Sequence, residues 1–245
     1  MERWRGRVAM VTGASSGIGR AIARMLIGAG MRVAITGRRE ERLRELAGEG
    51  GETMILVTDL RDPASILRAF ERVRSAWGGV DVMINNAGLG HRAPLVEGDH
   101  EAWREMLEVN VLALCICTRE AVRDMRRRGD DGHVVHVSSM AGHRVPPGSG
   151  VYSASKYAVR SLTEGLRLEL RALGSDVRVT AVSPGFVETE FHAHYLGSED
   201  AARETYARFP VLQPEDVADT VKHVLSLPPR VQVHDVLVRP TRQPT

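Results

Sequence analysis

Seven short apolar runs alternate with amphipathic helical stretches, and that alternation limits the fold more than any single motif. The runs lie at 7–12, 31–36, 53–57, 80–85, 133–138, 176–183 and 235–238. Between them come a helix to about residue 29, the charged helix R-E-E-R-L-R-E-L, a helix opening after Asp62-Pro63, a long helix over 101–127 and another over 151–173. Unbroken apolar strands that alternate with helices predict a parallel sheet buried on both faces. Right-handed crossovers then wind it doubly. The expectation is one α/β domain over 1–245, built on a doubly wound, seven-stranded, mostly parallel sheet. Ligands in such sheets bind beyond the carboxyl ends of the strands. Gly13, Asp59, Asn86, Ser139 and Pro184 all fall there, so one rim collects them.

Composition narrows the function classes. A hydrophobic fraction of 43% is ample for a sizeable core. Net charge is +2, from 33 basic and 31 acidic residues, which gives no electrostatic case for nucleic acid or an anionic membrane. All but two of the basic residues are arginine, the exceptions being Lys156 and Lys222. No run reaches the roughly 18 apolar residues of a membrane span, and the opening M-E-R-W-R-G-R has no signal-peptide apolar segment. A soluble cytoplasmic protein is expected. Cys115 and Cys117 match neither zinc nor CxxC redox spacing and read as core thiols in a reducing compartment. No metal is expected.

T-G-A-S-S-G-I-G sits between the first strand and the first helix. Glycines there let the backbone turn tightly and approach a pyrophosphate, and the helix N-terminus offers free N–H groups. Gly13, Ser15, Ser16, Gly17, Ile18 and Gly19 are the candidate contacts. The spacing is GxxxGxG rather than GxGxxG, and alone it reads equally as an ordinary strand–helix turn. The second strand ends in Thr36-Gly37-Arg38-Arg39 with no acid before Glu40. An NAD site commonly has an acidic residue here for the ribose 2′-hydroxyl, whereas arginines suit a 2′-phosphate. NADP(H) is therefore the expected cofactor, with Arg38 favoured over Arg39; the alternative is two solvated helix-start arginines. Asp59, followed by Leu60, is placed to accept from an adenine amine or to cap a helix. Asn86, Ala87 and Gly88 follow the fourth strand and are small enough to run along the cofactor ribose.

Tyr152 and Lys156 stand four apart in Y-S-A-S-K, with Ser139 thirteen residues upstream of the tyrosine. On a helix, i and i+4 share a face. An ammonium beside a phenol favours the phenolate and draws a pKa of about 10 towards neutrality. Such a phenol can protonate a carbonyl oxygen or deprotonate an alcohol.

T-G-A-S-S-G-I-G, N-N-A-G, Asn110 in V-N-V, Ser139, Y-S-A-S-K and S-P-G-F-V-E-T together resemble the short-chain dehydrogenase/reductases, in order and at family spacing over essentially the whole chain. The resemblance implies a Rossmann-type sheet and nicotinamide hydride transfer. It implies Tyr152 as the acid/base, and Lys156 as the group that lowers its pKa and holds the nicotinamide ribose. It implies Ser139 as the hydrogen-bond partner of the substrate oxygen, and Asn110 as the residue fixing a main-chain kink and a water that links Lys156 to solvent. With Pro184 and Gly185 beside them, the Val187 backbone and the Thr189 hydroxyl would hold the carboxamide. Ser138 competes with Ser139, and spacing to Tyr152 favours Ser139. A closer resemblance, carried by M-E-R-W-R, V-N-V-L-A-L-C-I-C-T-R-E-A, S-M-A-G-H-R-V and R-P-T-R-Q, is to a branch of NADP-dependent carbonyl and ketosteroid reductases. The segment from Ser139 to Tyr152 is shorter here than in that branch, so substrate specificity does not carry over.

The stretch 186–212 is the expected substrate lid. Five of the chain's eight phenylalanines and tyrosines lie in it: Phe186, Phe191, Tyr195, Tyr206 and Phe209. They would suit an apolar ketone or steroid, or would merely fasten the lid. His192 and His194 read as loop residues, His133 and His136 as structural, and His143 as a possible pocket border. Broad apolar faces on the two long helices predict a homodimer or homotetramer, as in the family. The expected partner is a small carbonyl or alcohol substrate. Two alternatives stay open: a reductase or dehydrogenase of 3-ketoacyl thioesters or 3-hydroxy acids, which Glu188, Glu190, Glu199, Asp200 and Glu204 disfavour, and a non-catalytic NADP-binding sensor or scaffold.

Overall fold

In a computed structural model describing residues 1–244, each apolar run becomes a strand. The strands are β1 (Val8–Val11), β2 (Arg32–Gly37), β3 (Thr53–Val57), β4 (Val82–Asn85), β5 (His133–Val137), β6 (Arg178–Pro184) and β7 (Asp235–Val238). They form one sheet in the order β3-β2-β1-β4-β5-β6-β7, and all six pairings are parallel. The order reverses between β1 and β4, which opens a crevice at their carboxyl ends.

Alternation within each strand fills two cores. Ala9 and Val11 of β1 face one side with α1 (Gly17–Gly28), α2 (Glu40–Gly48) and α9 (Pro214–Ser226). Val8 and Met10 face the other with α3 (Pro63–Trp77), α5 (Ala113–Arg127) and α6 (Gly150–Ala172). Because side chains alternate along a strand, a one-residue slip would exchange these two sets. Trp4 is fully buried on the first side, donates from Nε1 to Leu225 O at 2.8 Å and ties the N-terminus to α9. Phe70 is fully buried on the second side. Burying a ring of that size contributes on the order of 2–3 kcal/mol.

One element departs from the sequence expectation. The helix over 101–127 is not continuous. It divides into α4 (His100–Leu107), a π turn (Glu108–Leu112) and α5. Asn110 lies in that turn, whose extra residue shifts the helical register. The other expected strands and helices start or end within two residues of their expected positions, and α9 has no counterpart in the sequence reading. After β6 come two short helices, α7 (Phe191–Leu196) and α8 (Glu199–Ala207).

Candidate active site

The glycine turn is built by close backbone approach. Gly13 and Gly17 take φ of +68° and +51°, values that side chains disfavour. A Cβ on Gly19 would stand 2.3 Å from Gly13 O and 2.4 Å from Asn86 Nδ2, so only glycine fits. Thr12 fastens the turn to β4: its Oγ1 accepts from the N–H groups of Asn86 and Ala87, each at 3.0 Å, and its carbonyl accepts from Asn86 Nδ2 at 2.9 Å. Asn86 thus braces the turn from beneath. The first turn of α1 has no acidic side chain, which leaves its positive end open to an anion.

At the end of β2 the two arginines differ. Arg38 is exposed and makes no hydrogen bond among the described residues. Arg39 is anchored, donating from Nη2 to Ser16 Oγ at 2.6 Å and to Ser15 Oγ at 3.2 Å, and from Nη1 to Glu190 at 2.8 Å. Asp59 pairs with Arg61 at 2.7 Å. It is not a cap: the N-cap of α3 is Asp62, which accepts from Ala64 N at 2.9 Å.

Ser139 and Tyr152 meet across the cleft. The Ser139 hydroxyl is near enough to the Tyr152 phenol to lower its pKa, and it accepts from Ala141 N at 3.1 Å. Ser138 is turned away and donates to Lys156 O at 3.3 Å. Lys156 is buried, and its Nζ donates to Val137 O at 3.2 Å. The pKa of the Tyr152 phenol is raised rather than lowered in this structure. Nζ stands 5.9 Å from the Tyr152 ring centroid, and its hydrogen bond goes to Val137 O rather than to the phenol. Burial pushes the phenol up to about 12, and the Ser139 hydrogen bond offsets only part of that. Burial also pulls Lys156 down to about 8. Helical spacing put the two on one face, and desolvation is the largest cause of both shifts.

Asn110 clamps three elements. Its Oδ1 accepts from Leu89 N at 2.9 Å, and its Nδ2 donates to Leu89 O at 2.8 Å and to Ser155 Oγ at 3.0 Å. Ser155 Oγ in turn donates to Tyr152 O at 2.6 Å. Gly88 is packed beside the same group, since a Cβ there would lie 3.3 Å from both Asn110 Oδ1 and Lys156 Nζ.

The aromatics of 186–212 divide into two sets. Phe191 and Tyr195 face Tyr152 with centroid separations of 5.5 and 6.0 Å, stacking on each other and closing over Gly90. Phe186, Tyr206 and Phe209 instead bind this segment internally. His192 stacks on Phe186, and its Nδ1 meets Tyr206 OH at 3.0 Å. Tyr206 OH donates to Thr189 O at 2.9 Å. His194 turns elsewhere, its ring 5.4 Å from that of His91. Val187 bridges Leu212, with the flanking Phe186 and Glu188 making the hydrogen bonds, so the N–H and C=O of Val187 point the other way.

A continuous cleft of about 760 Å³ is lined by Gly13, Ser15 to Gly19, Arg38, Arg39, Asp59, Leu60, Asn86 to Gly88, Ser139, Tyr152, Lys156, Pro184, Gly185, Val187 and Thr189. Asn110 alone of the expected site residues stands behind the wall. Of the remaining histidines, His143 does not border the cleft; it sits 3.1 Å from Ser183 Oγ and 3.5 Å from Asp235. His133 reaches Thr180, and His136 reaches Thr118 and Thr163, all inside the protein. Cys115 and Cys117 are free thiols, and burial pushes Cys117 up to about 12.

Two lining residues carry no local signal in the sequence. Gln243 comes from the C-terminal tail and accepts from Phe186 N at 3.2 Å. Arg144 sits in the 140–151 segment, half-buried, with its Nε buried and unpartnered. Its motif S-M-A-G-H-R-V was legible, but only the fold turns it towards the cleft.

Comparison with known proteins agrees with this geometry. The short chain dehydrogenase family profile matches residues 7–199. Dehydrogenase/reductase SDR family member 11 of Bos taurus is 50% identical, with 100% of both chains covered. Farnesol dehydrogenase of Aedes aegypti is 41% identical over 98% of each chain. Among solved structures, the closed form of a serine dehydrogenase complexed with NADP+ superposes with a TM-score of 0.91, at 36% identity over 96% of each chain. With its all-parallel sheet, its glycine turn and Ser139, Tyr152 and Lys156 in one cleft, this chain belongs to the short-chain dehydrogenase/reductase family.

Proposed function

We propose that this oxidoreductase uses NADP(H) to interconvert a carbonyl and an alcohol, and that its substrate is an apolar ketone, a ketosteroid among the candidates. The observation that carries the reading is the joining of the glycine turn to Ser139, Tyr152 and Lys156 in one cleft. The residues fit the cofactor: Gly19 leaves room at the turn for a pyrophosphate, and Arg38 and Arg39 supply cations where an NAD site would carry an acid. NADPH bound there supplies hydride to the carbonyl carbon. Tyr152 gives its proton to the carbonyl oxygen, and Ser139 donates a hydrogen bond to that oxygen. A phenol pushed up to about 12 keeps its proton at neutral pH, as a general acid must. Lys156, pulled to about 8, is still mainly cationic at neutral pH and favours the phenolate left behind. Residues 186–212 form the lid, with Phe191 and Tyr195 as its apolar wall.

Tyr152→Phe should bind NADPH with unchanged affinity and lose turnover by roughly a hundredfold or more. Unchanged turnover would refute the assignment, whereas NADPH binding without turnover of any carbonyl by the wild type would favour a sensor or scaffold. A panel of ketosteroids, aromatic diketones and acetoacetyl thioesters, each with NADPH and NADH, tests the substrate.

A second reading, 3-hydroxy acids or ketoacyl thioesters, draws support from Arg144, whose unpartnered Nε borders the cleft. The acidic rim that disfavours it is partly neutralised, since Glu190 pairs with Arg39 and Arg42, and Asp200 with Arg203. Arg144→Met separates the readings: it should abolish turnover of an anionic substrate and spare that of a steroid.

Leu107, Leu112 and Leu168 lie exposed on α4, the π turn and α6. They suit pairing with a second copy as a dimer or tetramer, which mass measurement in solution tests. No described helix is long and apolar enough to cross a membrane. Our reading places the enzyme in the cytoplasm, which cell fractionation tests.

A further inference from the structure

Glu190 stands immediately before α7 and reaches back over the cofactor end of the cleft. Its Oε2 accepts from Arg39 Nη1 at 2.8 Å, and its Oε1 accepts from Arg42 Nη1. Arg39 is held at the same time by Ser15 and Ser16 of the glycine turn. Thr189 closes on that turn too, for a Cβ on Gly17 would meet Thr189 Cγ2 at 3.0 Å. A chain of contacts therefore runs from the turn, through Arg39, to the first helix of the lid. Burial pushes the Glu190 carboxyl up, but hydrogen bonds from Arg42 and Arg39 outweigh it and keep the group anionic. Arg39 lines the cleft, whereas Arg42 lies outside it.

We propose that Glu190 is a cofactor-selectivity residue, an internal anion that competes with the 2′-phosphate of the cofactor for Arg39. The proposal rests on the assignment of that phosphate to Arg38 and Arg39. Carboxylate and phosphate both seek the same guanidinium donors. An arriving phosphate must take Nη1 from Glu190 or lie beside an uncompensated carboxylate, and either lowers its affinity. A 2′-hydroxyl is uncharged and meets neither cost. Arg42 keeps hold of the other carboxylate oxygen, so Glu190 retains a partner when Arg39 turns to the phosphate. Arg38, exposed and without a hydrogen bond among the described residues, remains free to join it. Glu190 thus sets how tightly a phosphorylated dinucleotide is held, and with it how readily the spent one leaves.

The test is a fluorescence titration of NADPH and NADH against the full-length protein, its Glu190→Gln variant and its Arg39→Gln variant. The Glu190 side chain is 53% exposed, so the amide replaces it without disturbing the core. Glu190→Gln should bind NADPH roughly fivefold tighter, the upper scale of a partly exposed ion pair, with NADH affinity unchanged. Unchanged or weaker NADPH binding refutes the competition, and so does equal tightening of both dinucleotides. Arg39→Gln should weaken NADPH binding and leave NADH binding alone. If it leaves NADPH binding intact, the phosphate does not lie at Arg39 and the proposal falls with that assignment. If it weakens NADPH while Glu190→Gln gains nothing, the assignment stands and the competition alone is wrong.

Discussion

Lys156 has three ammonium donors and one protein acceptor, the Val137 carbonyl, and burial pulls it to about 8. Above that pH it loses its charge, and the phenolate that forms on Tyr152 loses its nearby cation. The rate of carbonyl reduction, as kcat/KM, should therefore fall above about pH 8, approaching tenfold per pH unit for a single required proton. Lys156→Met should be slow throughout and show no inflection there. A wild-type profile flat to pH 10 would refute the role. The i, i+4 spacing placed Tyr152 and Lys156 on one face, and the distance to Ser139 chose it over Ser138. The direction of the Tyr152 shift was not legible, because it depends on burial and on Tyr195 of α7. The Arg39–Glu190 pair was equally hidden, since its partners are 151 positions apart.

The π turn shows the same limit for a whole element. Residues 101–127 carry an unbroken helical pattern, so local propensity predicts one helix. What breaks it is a set of side-chain contacts to Leu89 and Ser155, which only the tertiary fold supplies. Asn110 lies within this turn. Asn110→Ala would leave the Leu89 N–H and carbonyl and the Ser155 hydroxyl without this partner. Unsatisfied buried groups of this kind cost about 1–3 kcal/mol each and are not additive, so a loss of roughly 2–4 kcal/mol is expected. A urea midpoint that falls with an unchanged slope would measure it. Turnover should fall as well, because Ser155 holds the backbone carbonyl of Tyr152 at 2.6 Å. Stability within about 0.5 kcal/mol of wild type, the range of an ordinary surface substitution, would show that the clamp is dispensable.

Across the whole molecule, the doubly wound parallel sheet followed from alternation, and the rim followed from where the motifs fell after strands, whereas the strand order was read only from the structure. The polar ladder inside the sheet did not, since an i, i+3 histidine pair on a strand reveals only opposite faces. His133 and His136 are both buried and hydrogen-bonded to threonines on neighbouring elements. Burial holds His133 well below 6.5, with Arg178 and Arg3 adding to the effect. It pulls His136 to about 3, with Lys156 adding to it. Both rings are neutral in the folded protein and protonate freely once unfolded. Their contribution to stability is therefore complete above the unfolded pKa of about 6.5 and declines as pH falls below it. At pH 5 His136, held at about 3, should cost about 2 kcal/mol relative to pH 7.5, and His133 adds a loss of the same sign. The paired carboxylates act in a different window. Asp81, Glu120 and Glu49 are held below their ordinary values, so their support remains until pH falls below about 4.5. Urea midpoints between pH 7.5 and 5 thus isolate the histidines. The midpoint should begin to fall near pH 6.5, and His136→Asn should remove part of the slope, His192 and His143 contributing to the remainder in the same window. A midpoint constant down to pH 5 would mean that the two rings protonate in place, contrary to their burial.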